Sequence, residues 1–385
     1  MKKAFVLCLI LNFTSAFAQT TSKELSFAKQ CPKADTKATI AAVGDILPHT
    51  GLQEQSYKSK LGFFSLFHKV APWLQKADVA YANLEGPTAK GVAKGGKLVK
   101  DPGPVLDNKV YTGTNFVFNY HPRIIGDLAV SGFDLISLAN NHTFDRASIG
   151  VDLTVDAFRE QQMPYVGILR SDELQTPRHT LTQVNGINIA WISCSEHLNG
   201  QKDKHGQVLR CGENSATIHS LIQNLAKDTS VDAIIVTPHW GDEYIHKANK
   251  KQRKLAREFL EAGASAIIGS HPHVLQEVEK YVTAGNRETL IAYSLGNFIA
   301  GQGNMKKLSA ILYMGLSKRE GQKAWVNGVT YLPVWTDRGP HTVNLLEDST
   351  QAPKKEALKL IRSLIDPTRE LSSKGEVTPD FDCVN

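Results

Sequence analysis

Beyond Phe13 the chain has no apolar stretch long enough to cross a bilayer, which takes about 20 residues, so the downstream protein is expected to be soluble. It has no Pro/Ser-rich linker, no low-complexity tract and no internal repeat, which excludes solenoids and tethered modules. One large domain with insertions is favoured over two small ones. Strong charge of either sign is missing as well. The formal net charge is +6, and the run Lys247-Ala-Asn-Lys-Lys-Gln-Arg-Lys254 reads as a solvated helix face. A basic rim that attracts a polyanion is the sharper alternative. No nucleic-acid module is present. Cysteine is scarce: there are five, and Cys8 sits in the apolar start without the small-residue-Cys pattern of a lipoprotein.

The start reads MKKAFVLCLILNFTSAFAQT. Basic Lys2 and Lys3, an apolar run Ala4–Phe13 and small residues at Ala16-Phe17-Ala18 have the layout of a secretory signal peptide ending at residue 18. A secreted or periplasmic protein follows from that reading. Its removal takes Lys2 and Lys3 and lowers the net charge from +6 to +4. Cys31, Cys194, Cys211 and Cys383 remain, an even number suited to disulfides in an oxidising compartment. The favoured pairs are Cys194–Cys211, closing a polar loop, and Cys31–Cys383, tying the ends together.

Hydrophobic residues make up 42% of the chain, enough for a large core. Apolar runs of strand length recur at Ala38–Val43, Val79–Leu84, Phe133–Ala139, Pro164–Ile168, Asp232–Thr237, Ala264–Gly269 and Leu290–Ser294. Helical spacing separates many of them, at Phe64–Gln75, Pro122–Val130, Ala147–Gln162 and Gln252–Glu261. Asn185-Gly186 between Thr180–Val184 and Ile187–Ser193 is a hairpin signal. Ser309–Leu316 and Trp325–Pro333 add strands, and Lys355–Ile365 reads as a terminal helix. The alternation predicts an α/β core with a mixed sheet, as two sheets face to face with helices outside. The expected division is a domain over 36–345 and a C-terminal helix and tail over 346–385. Lys90–Lys100 and His197–Cys211 read as exposed loops, either of which could cover a site.

Six polar segments each begin where a predicted strand ends. They are Val43-Gly-Asp-Ile-Leu-Pro-His49, Ala82-Asn-Leu-Glu-Gly86, Leu138-Ala-Asn-Asn-His-Thr-Phe-Asp145, Thr237-Pro-His-Trp-Gly-Asp-Glu-Tyr244, Ile268-Gly-Ser-His-Pro-His-Val274 and Tyr293-Ser-Leu-Gly-Asn-Phe298. Carboxyl ends of strands are where α/β folds build their sites. Asp45, Glu85, Asn141, His142, His239, His271 and His273 are therefore expected in one pocket. Imidazole, carboxylate and amide oxygen suit a borderline divalent ion such as Mn, Zn or Mg. Sulfur ligands are missing from all six segments, which excludes a structural zinc site of cysteine type. Taken singly, Asp45 could cap a turn, Asn140 and Asn141 could brace a loop, and each His could be a satisfied polar residue.

In this order the segments resemble the poly-γ-glutamate capsule synthesis proteins, the CapA family, from about Thr39 to Phe298. The resemblance implies a four-layer α/β/β/α sandwich of metallophosphatase type with mixed sheets, and a role with an anionic envelope polymer. It implies Asp45, Glu85, Asn141, His239, His271 and His273 as metal ligands, Glu85 standing where a bridging Asp is usual. It implies His142 as the acid that protonates a leaving group. Where the phosphatase pattern has a His two residues after its Asp, this chain has Leu47, with His49 as the nearest substitute. One ion or two are both open.

Three functions compete. The first is an envelope hydrolase or transferase that uses a divalent ion, His142 and Asp45, with Glu243 and Asp242 holding a histidine or a substrate ammonium. His49, Asp145 and Asn297 complete its candidate substrate contacts. The second is metal-free acid–base chemistry by Asp45 with His271 or His273, as in an epimerase or amide-cleaving enzyme. The third is a non-catalytic accessory that binds nascent polymer for export. Partners would be an anionic envelope polymer or peptide and a membrane-bound polymer synthase.

Overall fold

Strands that read as nearly continuous apolar runs are buried on both faces. In the computed structural model, which describes residues 21–27, 34–114 and 117–377, Thr36–Leu47 shows how. Ala38, Ile40 and Ala42 enter one core, and Ala41 and Val43 enter another. The alternation follows from side chains leaving a strand on opposite faces. Ile189 and Trp191 alternate with Ala190 and Ile192 in the same way on Ile187–Ser195.

These strands build two mixed sheets. One is 7-stranded, in the order Thr21–Ser22, Val278–Val282, Glu288–Ala292, Ala266–Ile268, Ala233–His239, Ile187–Ser195 and Thr180–Val184. The other is 8-stranded and runs Thr342–Leu345, Trp325–Asp337, Leu308–Lys318, Thr36–Leu47, Val79–Leu84, Leu135–Ser137 and Tyr165–Val166, with Asn297–Ala300 also paired to Thr36–Leu47. Parallel pairs lie at the centre of each sheet, so their carboxyl ends share one rim. The sheets pack face to face, with Tyr81 stacked on Trp191 at 5.5 Å between them.

Thr50–Lys58, Arg123–Val130 and Ala147–Glu160 cover the outer face of the 8-stranded sheet. Ser215–Lys227 and Lys250–Ala262 cover that of the 7-stranded sheet. The result is the expected four-layer α/β/β/α sandwich. Lys354–Leu364 sends Ala357, Leu358 and Ile361 into the core between the sheets. The Asn185-Gly186 hairpin forms with both residues at positive φ, as a two-residue turn between twisted strands requires.

Three readings change. Phe64–Gln75 is a 3₁₀ turn, Gly62–Leu66, followed by the short helix Ala71–Leu74; Pro72 at its start cannot donate back into a preceding helix. Ser215–Lys227, unassigned from sequence, is a helix with Ile218, Ile222 and Leu225 buried. Lys90–Lys100 is only partly exposed: Val92 is buried, and the fully buried Arg146 donates from Nε to its carbonyl at 3.0 Å. Cys194 and Cys211 are joined as a disulfide. The signal peptide and the Cys31–Cys383 pair lie outside the described residues. Among the described residues no helix is long and apolar enough to cross a membrane.

Candidate metal centre

The strand ends meet closely because glycines let them. A Cβ on Gly44 would lie 1.9 Å from the Gly296 carbonyl oxygen, and one on Gly269 2.1 Å from that of Tyr293. The Asp45 N–H donates to the Gly296 oxygen at 2.8 Å. Asp45, Glu85 and Asn141 then project from the 8-stranded sheet, and His239, His271 and His273 from the 7-stranded one. All six are buried. His271 and His273 hold positive φ, at 99° and 57°, a conformation that non-glycine residues keep only when their surroundings impose it.

Glu85 is central. Its Oε1 lies 3.7 Å from His239 Nε2, 3.8 Å from His273 Nε2 and 3.9 Å from His142 Nε2. Neither of its carboxylate oxygens has a hydrogen-bond partner among the described residues. Two sets of donor atoms, Glu85 with His271 and His273, and Asp45 with Glu85 and His239, each lie within 4.8 Å of one another. Glu85 is common to both.

Neighbours fix which atom each ligand offers. Asn83 Nδ2 donates to Asp45 Oδ1 at 2.8 Å, and the His271 N–H lies 3.2 Å from Asp45 Oδ2. His239 Nδ1 meets Ser270 Oγ at 2.9 Å. His239 Nε2 then faces Asn141 Oδ1 at 2.9 Å and His271 Nδ1 at 3.1 Å. His273 Nδ1 meets Asn297 Oδ1 at 3.0 Å, which leaves Nε2 towards Glu85. Such partners set the tautomer and ring orientation of metal-binding histidines.

Burial holds His239 well below the ordinary imidazole value, with the charge of His271 adding to it. Burial and the neighbouring His273 lower His271 to about 4. Both rings are neutral at physiological pH, the form that ligates. Burial pushes the Glu85 carboxyl up, against the pull of His273. His273 goes the other way: burial lowers it, but Glu85 and Asp45 outweigh that and raise it. Buried acceptors thus converge around an unpartnered carboxylate. This donor set fits a divalent cation.

His142 stands beside this cluster. Its Nδ1 lies 2.8 Å from Asp145 Oδ2, which also accepts from the Phe118 N–H at 2.6 Å. The Phe118 ring packs edge-on against the imidazole at 4.8 Å. Burial alone would lower His142, but the Asp145 hydrogen bond and charge, with Glu85, hold it above its ordinary value. Its Nε2 faces the pocket, 3.9 Å from Glu85 Oε1.

The remaining candidates sit at different depths. Asn297, expected among the substrate contacts, is fully buried and braces His273, while its Nδ2 donates to Gln302 Oε1 at 3.0 Å. Asp145 likewise braces His142 rather than facing solvent. Asp242 is exposed and accepts from Asn249 Nδ2 at 2.9 Å, at the start of Lys250–Ala262. Glu243 is exposed, and its charge is felt at Glu85, His271 and His273. His49 packs edge-on against Phe118 at 5.2 Å, with Nδ1 at the Leu47 oxygen and the Gly301 N–H; it belongs to neither donor set.

Sequence reasoning passed over several participants. Asn83 and Ser270 lie inside the motifs but look like ordinary polar residues. Tyr244 stacks on His273 at 5.9 Å with Lys306 Nζ 4.3 Å from its ring centre. His197 stands 5.7 Å from the His271 ring, on a loop that carries no motif.

Residues 39–302 match the family described as bacterial capsule synthesis protein PGA_cap. The chain is 29% identical over 272 residues to the capsule biosynthesis protein CapA of Bacillus anthracis, spanning 69% of this chain and 61% of that protein. It is 27% identical to the PGA biosynthesis protein CapA of Bacillus subtilis, spanning 99% of this chain and 92% of that protein. Among solved structures it is similar to the NAD nucleotidase NadN of Haemophilus influenzae, with TM-score 0.46, 13% identity, and 87% and 57% of the two chains covered. For the sulfate thiohydrolase SoxB of Thermus thermophilus the TM-score is 0.41, with 11% identity, and 87% and 61% covered.

Proposed function

This chain belongs to the bacterial capsule synthesis protein family PGA_cap, and on that premise we propose that it is an exported hydrolase or transferase of an anionic envelope polymer of poly-γ-glutamate type. The observation that carries the catalytic part is Glu85, a buried carboxylate with both oxygens unpartnered, at the crossing of two ligand sets. Asp45, Glu85, Asn141, His239, His271 and His273 would hold a divalent ion, Mn, Zn or Mg. Such an ion, when bound, supplies Lewis acidity to a carbonyl or phosphoryl oxygen in the pocket. Asp145 accepts from Nδ1 and, with Glu85, favours the imidazolium form of His142, which would give its Nε2 proton to the leaving group. Tyr244 and Lys306 border the same pocket and offer an aromatic face and a cation to an anionic chain. Export is supported by the Cys194–Cys211 disulfide, which suits an oxidising compartment.

The test is metal analysis of protein purified without chelator, with cleavage or transfer of γ-linked glutamyl polymer assayed before and after adding Mn, Zn or Mg. Bound ion and ion-dependent turnover are expected. A protein that takes up no divalent ion and gains no activity sinks the metal-dependent reading. Polymer binding without turnover, unchanged in His142→Ala, identifies an accessory protein instead.

A further inference from the structure

The loop between Cys194 and Cys211, read from sequence as one that could cover a site, reaches the pocket. Its base is fixed by the disulfide. The Ser195 N–H donates to the Leu209 oxygen at 2.9 Å, and the Cys211 N–H to the Ser195 oxygen at 3.1 Å. Beyond the base, Leu198 is buried and anchors the turn, while His197 and Asn199 on either side of it are exposed. Asn199 holds φ 48°, a conformation that asparagine tolerates better than most residues. Both ends of its amide meet groups of the pocket. Asn199 Oδ1 accepts from Asn141 Nδ2 at 3.3 Å, and Asn199 Nδ2 faces His142 Nε2 at 3.4 Å.

We propose that Asn199 is a positioning residue of the site: it turns the Asn141 amide so that its oxygen faces the ligand cluster, and it steadies the His142 ring in the state in which Nε2 carries no proton, when the Asn199 NH2 donates to that nitrogen. An asparagine side chain offers an oxygen on one side and an NH2 on the other. With its NH2 engaged by Asn199, Asn141 presents Oδ1 to His239 Nε2 at 2.9 Å. Without that partner the amide is free to rotate and to offer N–H groups, which no cation accepts. At 3.3 and 3.4 Å these contacts lie at the long end of hydrogen bonding. This inference rests on the metal reading above for its affinity arm but not for its ring arm.

The full chain with its disulfide intact is titrated with Co²⁺ alone, and the His142 ring nitrogens are followed by NMR in chelated protein. Asn199→Gly removes the side chain and keeps the backbone at ease at positive φ. It is expected to weaken Co²⁺ binding by about 10-fold or more, in the range for groups that orient a metal ligand. It is also expected to move the His142 Nε2 resonance. Asn199→Asp keeps the acceptor for Asn141 and is expected to restore the affinity, while the Nε2 resonance stays displaced. His205→Ala, elsewhere on the same loop, serves as the control and changes neither. An Asn199→Gly protein with wild-type affinity and an unmoved Nε2 resonance overturns the proposal. If the wild type takes up no Co²⁺, the metal reading fails by itself, and the Nε2 resonance alone decides the role of Asn199.

Discussion

A buried carboxylate without hydrogen bonds destabilises a fold unless something positive meets it. Glu85 makes no hydrogen bond, burial pushes its carboxyl up, and the positive group that pulls on it is His273, whose Nε2 stands 3.8 Å away. Replacing it by the neutral isostere therefore separates stability from binding. In chelated protein, Glu85→Gln is expected to melt no lower than the wild type. With Mn²⁺ present, the variant is expected to lose the thermal shift that the wild type shows. A Glu85→Gln protein that melts several degrees lower under chelation would mean that the pairing with His273 outweighs the cost of burying the carboxylate. His142→Ala should behave in the opposite way. It keeps the ion and loses about 10²–10⁴-fold in turnover, the usual worth of a general acid, as read from steady-state kinetics at saturating Mn²⁺. The residues that meet in the pocket were legible in the sequence because His, Asp, Glu and Asn recur directly after apolar runs. Their supports were not. Ser270 and Asn83 gain meaning only when the next strand end brings His239 and Asp45 within hydrogen-bond reach.

At the scale of elements, the pocket depends on how near two strand ends can come. Gly44 and Gly269 mark the places where backbone packs on backbone without room for a methyl group. Gly44→Ala is expected to cost about 1–3 kcal/mol or more, as overpacking does in a tight core, and to lower Mn²⁺ affinity because Asp45 moves with its strand. Denaturant midpoints and a binding titration report the two effects; a variant that changes neither would show that the strand ends have slack. The loop over 194–211 is held differently, by a covalent tie across a separation of 17 residues. Cys194→Ser is expected to lose about 3 kcal/mol of unfolding free energy, the size for a loop of this length. Wild-type protein under full reduction should match it in the same denaturant titration. Elements with apolar periodicity were readable, including the long strands and the helix Ala147–Glu160. The Phe64–Gln75 region misleads because its apolar spacing is helical while Pro72 interrupts the bonding. Ser215–Lys227 was overlooked because its N-cap, Asn214, gives no side-chain cap to the helix and instead accepts from the Arg210 N–H at 2.8 Å. The helix-start signal is spent on the loop before it.

For the whole molecule, the division of the pocket residues between the sheets matters most. Asp45, Glu85 and Asn141 belong to one sheet, and His239, His271 and His273 to the other. Between them lies an apolar core that holds the sheets together. Short polar contacts already cross the rims, His239 Nε2 to Asn141 Oδ1 at 2.9 Å and His273 Nδ1 to Asn297 Oδ1 at 3.0 Å, while Asp45 stands further from the rings, at 3.9 Å from His239 Nδ1 and 3.6 Å from His273 Nδ1. An ion that binds only the assembled rims adds its binding free energy to folding, about 2.7 kcal/mol at a free concentration one hundred times its dissociation constant. Mn²⁺ is therefore expected to raise the melting temperature by a few degrees for a chain of this size, reversibly on adding EDTA. The gain should grow logarithmically with ion concentration above saturation, since the unfolded chain holds no such site. Hydrogen exchange places the effect: protection should rise at the ends of Thr36–Leu47 and Ala233–His239 together. Protection confined to one sheet would mean that the ion is held by one rim alone, and the two ligand sets that share Glu85 would then not act as a single centre.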